Sequence, residues 1–451
     1  MKLLQRFVLY YLRFFARQVL KRYQLKIIGI TGSVGKSSTR NAIYSVLKDY
    51  FRVKMIEKGN SETGIPLGIL GLDPGNYQAL DWLKNLLLAP FKTSFIKDYQ
   101  YLVIEMGIDS PFWPKNMDYL LTIVQPDISV VLNAYPVHTM QFDCLINKEI
   151  TGEKRREFLV RRIAKEKVKI ISLARPEMAI YNQANDYINE QVEKIRLSQK
   201  NIRFISFGGE DSNIRLLDYQ LEKSGTKFSF YLKEKSQRLD LNISGYLLPK
   251  AYQEVFSAAI LVGKVLGLEN QQIIEGLKKN FYLPAGRGSI FDGISSSTII
   301  DSSYNASKAS MLAYLDLVWQ LAKKEKLPLI LVLGEMRELG LEAELEHQEV
   351  AEKIIQIKPK EVFLIGEEMK KYVYPKLKDA EIKTQVFENS IKIGSYLKEN
   401  LKERSILLFK GSQNTIFLEE AVKLILKNQD DEKRLCRQSQ FWLKKKSYLF
   451  D

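Results

Sequence analysis

Two α/β domains are predicted by three observations. Short apolar runs of strand character alternate with segments of helical period, glycine-bearing turns stand between them, and the pattern restarts after the linker Leu283-Pro284-Ala285-Gly286. The expected division is a basic amphipathic helix over 1–24, a central domain over 25–284 with a mainly parallel sheet, and a second α/β domain over 285–451. At about 100–200 residues per domain, 451 residues accommodate this plan.

Residues 25–30 form the first expected strand. A glycine turn follows, then a helix over 36–50 with Ala42, Ile43, Val46 and Leu47 on one face. Later strands are expected at 101–104, 128–132 and 170–173. Residues 201–245 change character: runs at 203–207, 214–221, 226–232 and 238–243 alternate, with Ser224-Gly225 as a hairpin turn, so a small antiparallel segment is expected. A helix over 251–266 ends at Gly267. Beyond the linker, strands are expected at 298–300, 329–333, 362–365 and 406–409. Unusual residues gather where these strands end: Thr31-Gly32, Glu105-Met106-Gly107, Asn133, Gly334-Glu335, Gly366 and Lys410-Gly411. Ligands of open α/β sheets bind beyond the carboxyl ends of strands, so a cleft between the two domains is expected there.

Composition narrows the function classes. Cysteine occurs only at positions 144 and 436, which argues against a disulfide framework and fits a reducing cytoplasm. Two histidines exclude a His-rich metal site. A formal charge of +15 attracts anionic partners, yet the cations are dispersed and no nucleic-acid motif accompanies them, so no nucleic-acid partner is expected. No apolar run is long enough to span a membrane. Residues 1–23 place Lys2, Arg6, Arg13, Arg17 and Lys21 at helical spacing among aromatic and aliphatic residues. Two readings stay open: peripheral contact with an anionic membrane, or a helix packed on the next domain with snorkelling cations.

Residues 29–38 read Gly-Ile-Thr-Gly-Ser-Val-Gly-Lys-Ser-Ser between a strand and a helix. This is a phosphate-binding loop (P-loop) of the shorter Thr-Gly-x-x-Gly-Lys-Ser type, because Ile30 stands where the longer pattern has glycine. Gly32 and Gly35 let main-chain N–H groups of Thr31, Ser33, Val34 and Ser38 turn onto phosphate oxygens at a helix N-terminus. Lys36 would reach the β- and γ-phosphates of ATP and Ser37 would ligate Mg2+. Glu105, after four apolar residues, suits a second Mg2+ ligand or a solvent-facing strand end. His138 suits a ligand or a structural histidine. Lys167, in Ile163-Ala164-Lys165-Glu166-Lys167, taken alone is a solvated lysine.

Together these residues resemble the Mur ligases, from about position 26 to 426. The phosphate loop, Asn60-Ser61-Glu62-Thr63-Gly64-Ile65-Pro66-Leu67, Glu105-Met106-Gly107, Asn133 with His138, and the segment ending at Lys167 carry the family pattern. Gly286-Arg287-Gly288, the stretch 300–306, the stretch 332–340 with His347, and Lys410-Gly411-Ser412 with Glu419 resemble the branch that adds D-alanyl-D-alanine to a UDP-N-acetylmuramoyl tripeptide. The resemblance implies a Rossmann-like C-terminal domain, a monomer in the cytoplasm, and an ADP-forming amide ligase acting through an acyl phosphate.

It also implies roles. Lys167 would be carbamylated by CO2 and share a second Mg2+ with His138, while Ser37 and Glu105 hold the first. Arg287, Asp301, Tyr304 and Asn305 would lie along ATP. Asn60 and Ser61 would face the carboxylate substrate, and Glu335, Lys410 and Ser412 the amine substrate. Closure of the second domain at the linker would bring Arg287 to ATP and shield the acyl phosphate from water. Departures are Ser302, Ser307, Lys308, Val255, Lys169 and the segment 110–115, and only about thirty residues precede the loop, so most of the family's UDP-binding front domain is expected to be missing. A related amide ligase acting on another carboxylate, of folylpolyglutamate or lipid-linked muropeptide type, is the alternative.

Overall fold

The computed structural model describes the chain except residues 1–2, 58, 74, 76–78, 93–95, 97, 137–140, 143–144, 146–149, 151, 338, 340–341, 413–414 and 451. His138 and Cys144 therefore lie outside the described residues. The chain divides into two compact units: residues 1–218, 228–241 and 251–282, and residues 219–227, 242–250 and 283–451.

The first unit opens with helix α1 (Leu3–Tyr23) and then β1 (Lys26–Thr31), α2 (Lys36–Leu47), β2 (Val53–Met55), α3 (Gly64–Leu70), α4 (Ala79–Leu88), β3 (Tyr101–Glu105), α5 (Met117–Ile123) and β4 (Ile128–Val131). It continues with α6 (Gly152–Lys167), α7 (Lys169–Ser172), β5 (Met178–Asn182), α8 (Asp186–Ser198) and β6 (Arg203–Phe207). Strands β7 (Ile214–Glu222), β8 (Gly225–Leu232) and β9 (Gln237–Ser244), whose residues 219–222, 225–227 and 242–244 fall in the second unit, follow, then α9 (Tyr252–Val265) and α10 (Asn270–Asn280). The sheet order is β2-β3-β1-β4-β5-β6-β7-β8-β9, parallel from β2 to β6. β1 is central and its neighbours β3 and β4 come later in the chain, so the order reverses at β1. That switch point opens a crevice beyond its carboxyl end, where the phosphate loop starts. Buried β-branched and aliphatic residues such as Ile28, Ile30, Val103, Ile104 and Val130 explain the parallel strands, which helices cover on both faces. The link between β7 and β8 is too short for any but an antiparallel pair, which is the expected antiparallel segment.

The strand expected at 170–173 is not one: those residues lie in α7 and its end. The β5 strand comes afterwards, at Met178–Asn182. Ile170 and Ile171 are fully buried, and a short apolar run does not tell a buried strand from a buried helical turn.

The second unit contains β10 (Ser289–Asp292), β11 (Thr298–Ser302), α11 (Lys308–Glu325), β12 (Leu329–Gly334), α12 (Ala343–Ile357), β13 (Glu361–Ile365), α13 (Tyr374–Asp379) and β14 (Thr384–Phe387). It ends with α14 (Ser390–Asn400), β15 (Ile406–Lys410), α15 (Leu418–Ile425) and α16 (Gln440–Phe450). Its sheet runs β10-β11-β15-β12-β13-β14, parallel except for antiparallel β10. The mixed, mostly parallel α/β class predicted from the sequence is the one observed.

Candidate active site

β1 delivers Thr31 to a loop that turns at Gly35, whose φ of 86° is the left-handed conformation that glycine adopts without strain. Helix α2 begins at the next residue, so its free N–H groups and positive dipole end open onto the loop. The loop is pinned from outside. Thr31 Oγ1 donates to Met106 O at 2.9 Å, and the amides of Ser33 and Val34 both donate to Asn133 Oδ1 at 3.0 Å. Asn133 Nδ2 in turn donates to Glu254 Oε2 at 2.7 Å. Lys36 folds back, its Nζ donating to Gly32 O at 2.8 Å and Ser33 O at 3.2 Å. Burial lowers its pKa, opposed by the carboxylates of Glu105 and Asp109.

At the end of β3, Glu105 is 4 % exposed. Its Oε2 accepts from Ser37 Oγ at 3.0 Å and its Oε1 pairs with Arg40 Nη1 at 2.7 Å. Ser37 and Glu105 thus set two hard oxygen donors side by side beneath the loop, a donor set that fits Mg2+. Among the described residues no group of three or more His, Cys, Asp or Glu side chains is placed to hold a metal ion. Arg40 also donates to Ile56 O at 2.8 Å, which fixes the carboxylate's orientation.

Lys167 closes α6 and is 3 % exposed. Burial and the neighbouring Lys36 charge push its amine down to about 7, partly offset by Asp109 and Glu166. Lys167 is thus buried in the first unit rather than solvated. Asn60 lies beside Gly107: Gly107 N donates to Asn60 O at 2.8 Å, and a Cβ on Gly107 would stand 3.0 Å from the Asn60 carboxamide. Ser61 Oγ accepts from Gly64 N at 3.4 Å at the start of α3. Thus Lys36, Ser37, Glu105, Lys167 and Asn60 converge in the first unit.

The second unit holds the other predicted residues in two groups. In one, Arg287 lies over the Tyr304 ring at 4.9 Å, while Gly288 N donates to Asp301 O at 2.8 Å. Asp301 is fully buried; burial pushes its carboxyl up to about 6, and its Oδ2 has no hydrogen-bond partner among the described residues. Lys410 Nζ donates to Ser302 Oγ at 3.2 Å and Asn305 O at 3.0 Å, 5.0 Å from the Tyr314 ring centre. Burial and the Arg287 charge push it down to about 7. Lys410 therefore stands with Asp301 and Asn305, on the strand that pairs with β12. In the second group, Glu335 lines a cavity of about 830 Å³ at the ends of β12, β13 and β14, with Arg337, Glu368, Lys370 and Asn389. Ser412 joins it through its amide, which donates to Glu335 O at 3.1 Å.

Sequence reasoning did not single out Arg40, Asp109, Glu254 or Arg437. Arg40 carries a legible signal, since it lies one helical turn after Lys36 on the loop's own helix. His347, fully buried, accepts from Met336 N at 3.1 Å and holds the segment after β12 in place.

The chain is similar to known proteins along most of its length. Residues 286–413 match the family described as "Mur ligase, glutamate ligase domain". Curated relatives named "UDP-N-acetylmuramoyl-tripeptide--D-alanyl-D-alanine ligase" include that of Borreliella burgdorferi, 26 % identical over 402 residues, covering 88 % of this chain and 74 % of the relative. That of Rickettsia prowazekii is 27 % identical over 391 residues, covering 86 % and 75 %. Among solved structures, MurF from Acinetobacter baumannii superposes with a TM-score of 0.69 at 22 % identity, covering 92 % of this chain and 79 % of that one. MurF ligase from Thermotoga maritima in complex with ADP gives 0.64 at 21 %, covering 94 % and 84 %. Folylpolyglutamate synthase from the same organism gives 0.59 at 16 %, covering 96 % and 98 %.

Proposed function

We infer, for a chain that carries a Mur ligase domain and is similar along most of its length to UDP-N-acetylmuramoyl-tripeptide–D-alanyl-D-alanine ligases, that it is an ATP-dependent, ADP-forming amide ligase of peptidoglycan precursor synthesis. Its proposed substrates are a UDP-N-acetylmuramoyl tripeptide and D-alanyl-D-alanine. The carrying observation is the phosphate loop seated on the Ser37–Glu105 pair, with Lys36 and the buried Lys167 beside it.

The residues supply a two-step reaction. Main-chain amides of residues 32–38 and the Lys36 ammonium take up the charge of the β- and γ-phosphates; nucleotide entry draws Lys36 off the loop carbonyls it now caps. Magnesium, held by Ser37 and Glu105 when bound, adds positive charge on the phosphate oxygens. A substrate carboxylate oxygen, steered from the side of Asn60 and Ser61, attacks the γ-phosphorus, and ADP leaves with the bonding electron pair. The dipeptide amine then attacks the acyl carbon of the resulting acyl phosphate. Inorganic phosphate departs, the amine loses its proton, and an amide remains.

Lys167 is proposed to react with CO2. Its amine nitrogen adds to the carbon and releases a proton, leaving a carbamate anion that would hold a second Mg2+ with His138. A lysine pushed down to about 7 offers the neutral amine that this addition needs. In the second unit, Arg287, Asp301, Tyr304 and Asn305 form the nucleotide-side group, which Lys410 braces. The Glu335 carboxylate in its cavity suits the dipeptide ammonium. A monomer working in the cytoplasm, where UDP-sugar precursors are made, is part of this proposal.

The test supplies purified protein with ATP, Mg2+, D-alanyl-D-alanine and UDP-N-acetylmuramoyl tripeptide, and follows phosphate release and product mass. Dipeptide-dependent phosphate release with a product of pentapeptide mass is expected. The second reading, an amide ligase for another carboxylate, is favoured by the folylpolyglutamate synthase match over 98 % of that chain's length. Phosphate release with a folate or lipid-linked carboxylate only would select it.

A further inference from the structure

Helix α1 has more apolar surface than its own unit covers. Leu9, Leu12, Ala16 and Val19 bury one side in the core of the first unit. Leu4, Phe7, Tyr10 and Phe14, at spacings of three and four, wind onto the opposite side and are 70, 57, 48 and 55 % exposed. A helix on a globular surface needs one apolar stripe, and this one has two.

The outward stripe is bordered by cations and aromatic rings. Arg6 lies over the exposed Trp113 ring at 5.6 Å, Arg13 lies over Tyr10 at 4.5 Å, and Arg17 and Lys21 continue the row at helical spacing. No Asp or Glu precedes Asp49, so the helix has no acidic residue of its own to balance them. On the other flank, Tyr11 OH donates to Leu86 O of α4 at 3.1 Å. There Leu80, Leu83 and Leu87 make a second exposed stripe, followed by the exposed Phe91. No helix among the described residues is long and apolar enough to cross a membrane.

We propose that this face of the first unit, built on α1 and α4, lies in the headgroup plane of an anionic lipid bilayer. Charge decides the occupant. Exposed aromatic and leucine side chains interleaved with arginines match an interface of acyl chains beneath anionic headgroups. A second copy of the chain in a two-fold contact would set the same cations against each other. The proposal is independent of the ligase chemistry.

Sedimentation of the full chain with vesicles tests it, using phosphatidylcholine alone and an equal mixture with phosphatidylglycerol. Binding to the anionic vesicles is expected, weakening as salt rises. Each arginine near such a surface is worth roughly a fivefold factor in partitioning. Arg6→Gln with Arg17→Gln should therefore lower anionic binding about twenty-five-fold, and Phe7→Ser with Phe14→Ser about tenfold or more. These side chains are exposed, so melting temperature and ATP binding stay unchanged. No sedimentation with anionic vesicles, equal binding to both vesicle types, or full binding by both double variants overturns the proposal. So does a dimer in light scattering that Phe7→Ser with Phe14→Ser dissolves while vesicle binding is unaffected.

Discussion

Three side chains carry most of the proposed chemistry, and each makes a separable prediction. Lys36 is the one ammonium that the phosphate loop places within its own turn, so Lys36→Ala should cut ATP-dependent product formation by about a hundredfold or more, read as phosphate release. Lys167→Ala should cripple turnover while leaving the fold intact, and added acetate or another short carboxylate should restore part of it by standing in for the carbamate. Full activity of the unsupplemented variant would remove the carbamate. Asp301 predicts a pH effect on stability. Its carboxyl is pushed up from 3.8 to about 6, so between those values the folded chain holds a proton that the unfolded chain has released. Its contribution to stability thus falls as pH rises through this window, and the penalty is fully present above about pH 6. Asp301→Asn should stabilise the chain there by up to about 3 kcal/mol, with the gain vanishing toward pH 4, as read by denaturant titration.

Among the elements, the C-terminal tail is the one the sequence concealed. Arg437 pairs in bidentate fashion with the fully buried Glu419, at 2.7 and 2.6 Å, and also donates to Ser303 O at 2.9 Å and Tyr304 O at 3.1 Å. Lys446 of α16 reaches the same Glu419 at 2.9 Å. Arg437→Ala leaves the buried Glu419 carboxylate to Lys446 alone and frees the 303–304 turn, so it should cost about 3 kcal/mol of stability in urea, more than any exposed ion pair among the described residues. Charge-rich tail sequence carries no period that announces such a clamp, because its partner Glu419 is close only in space. The strands were legible for the opposite reason: runs such as 329–333 and 406–409 are buried on both faces and bounded by turns, so local pattern and fold agree. The same rule misplaced 170–173, where burial came from a helical turn. The phosphate loop was legible because its chemistry is contiguous in sequence. The Arg40–Glu105 pair and the Asn133–Glu254 bond, which brace that loop from distant segments, were not.

For the molecule as a whole, the first unit holds the loop, the Ser37–Glu105 pair and Lys167, and the second holds the group of Arg287, Asp301, Tyr304 and Asn305 and a separate cavity. Nucleotide bound only by the native chain must raise its melting temperature. A hundredfold excess of ligand over its dissociation constant adds about 2.7 kcal/mol, and this gain should require Mg2+ and disappear in Lys36→Ala, as read by thermal unfolding with a non-hydrolysable ATP analogue. The hairpin strands bear on how such a chain can be divided. The chain leaves the first unit after residue 218, returns at 228, leaves again after 241 and returns at 251 before its last departure at 282. A gene cut at the proline linker would therefore yield two fragments, the upstream one carrying two stretches that belong with its counterpart and the downstream one lacking them. A cut after residue 282 therefore separates the stretches 219–227 and 242–250 from the unit they belong to.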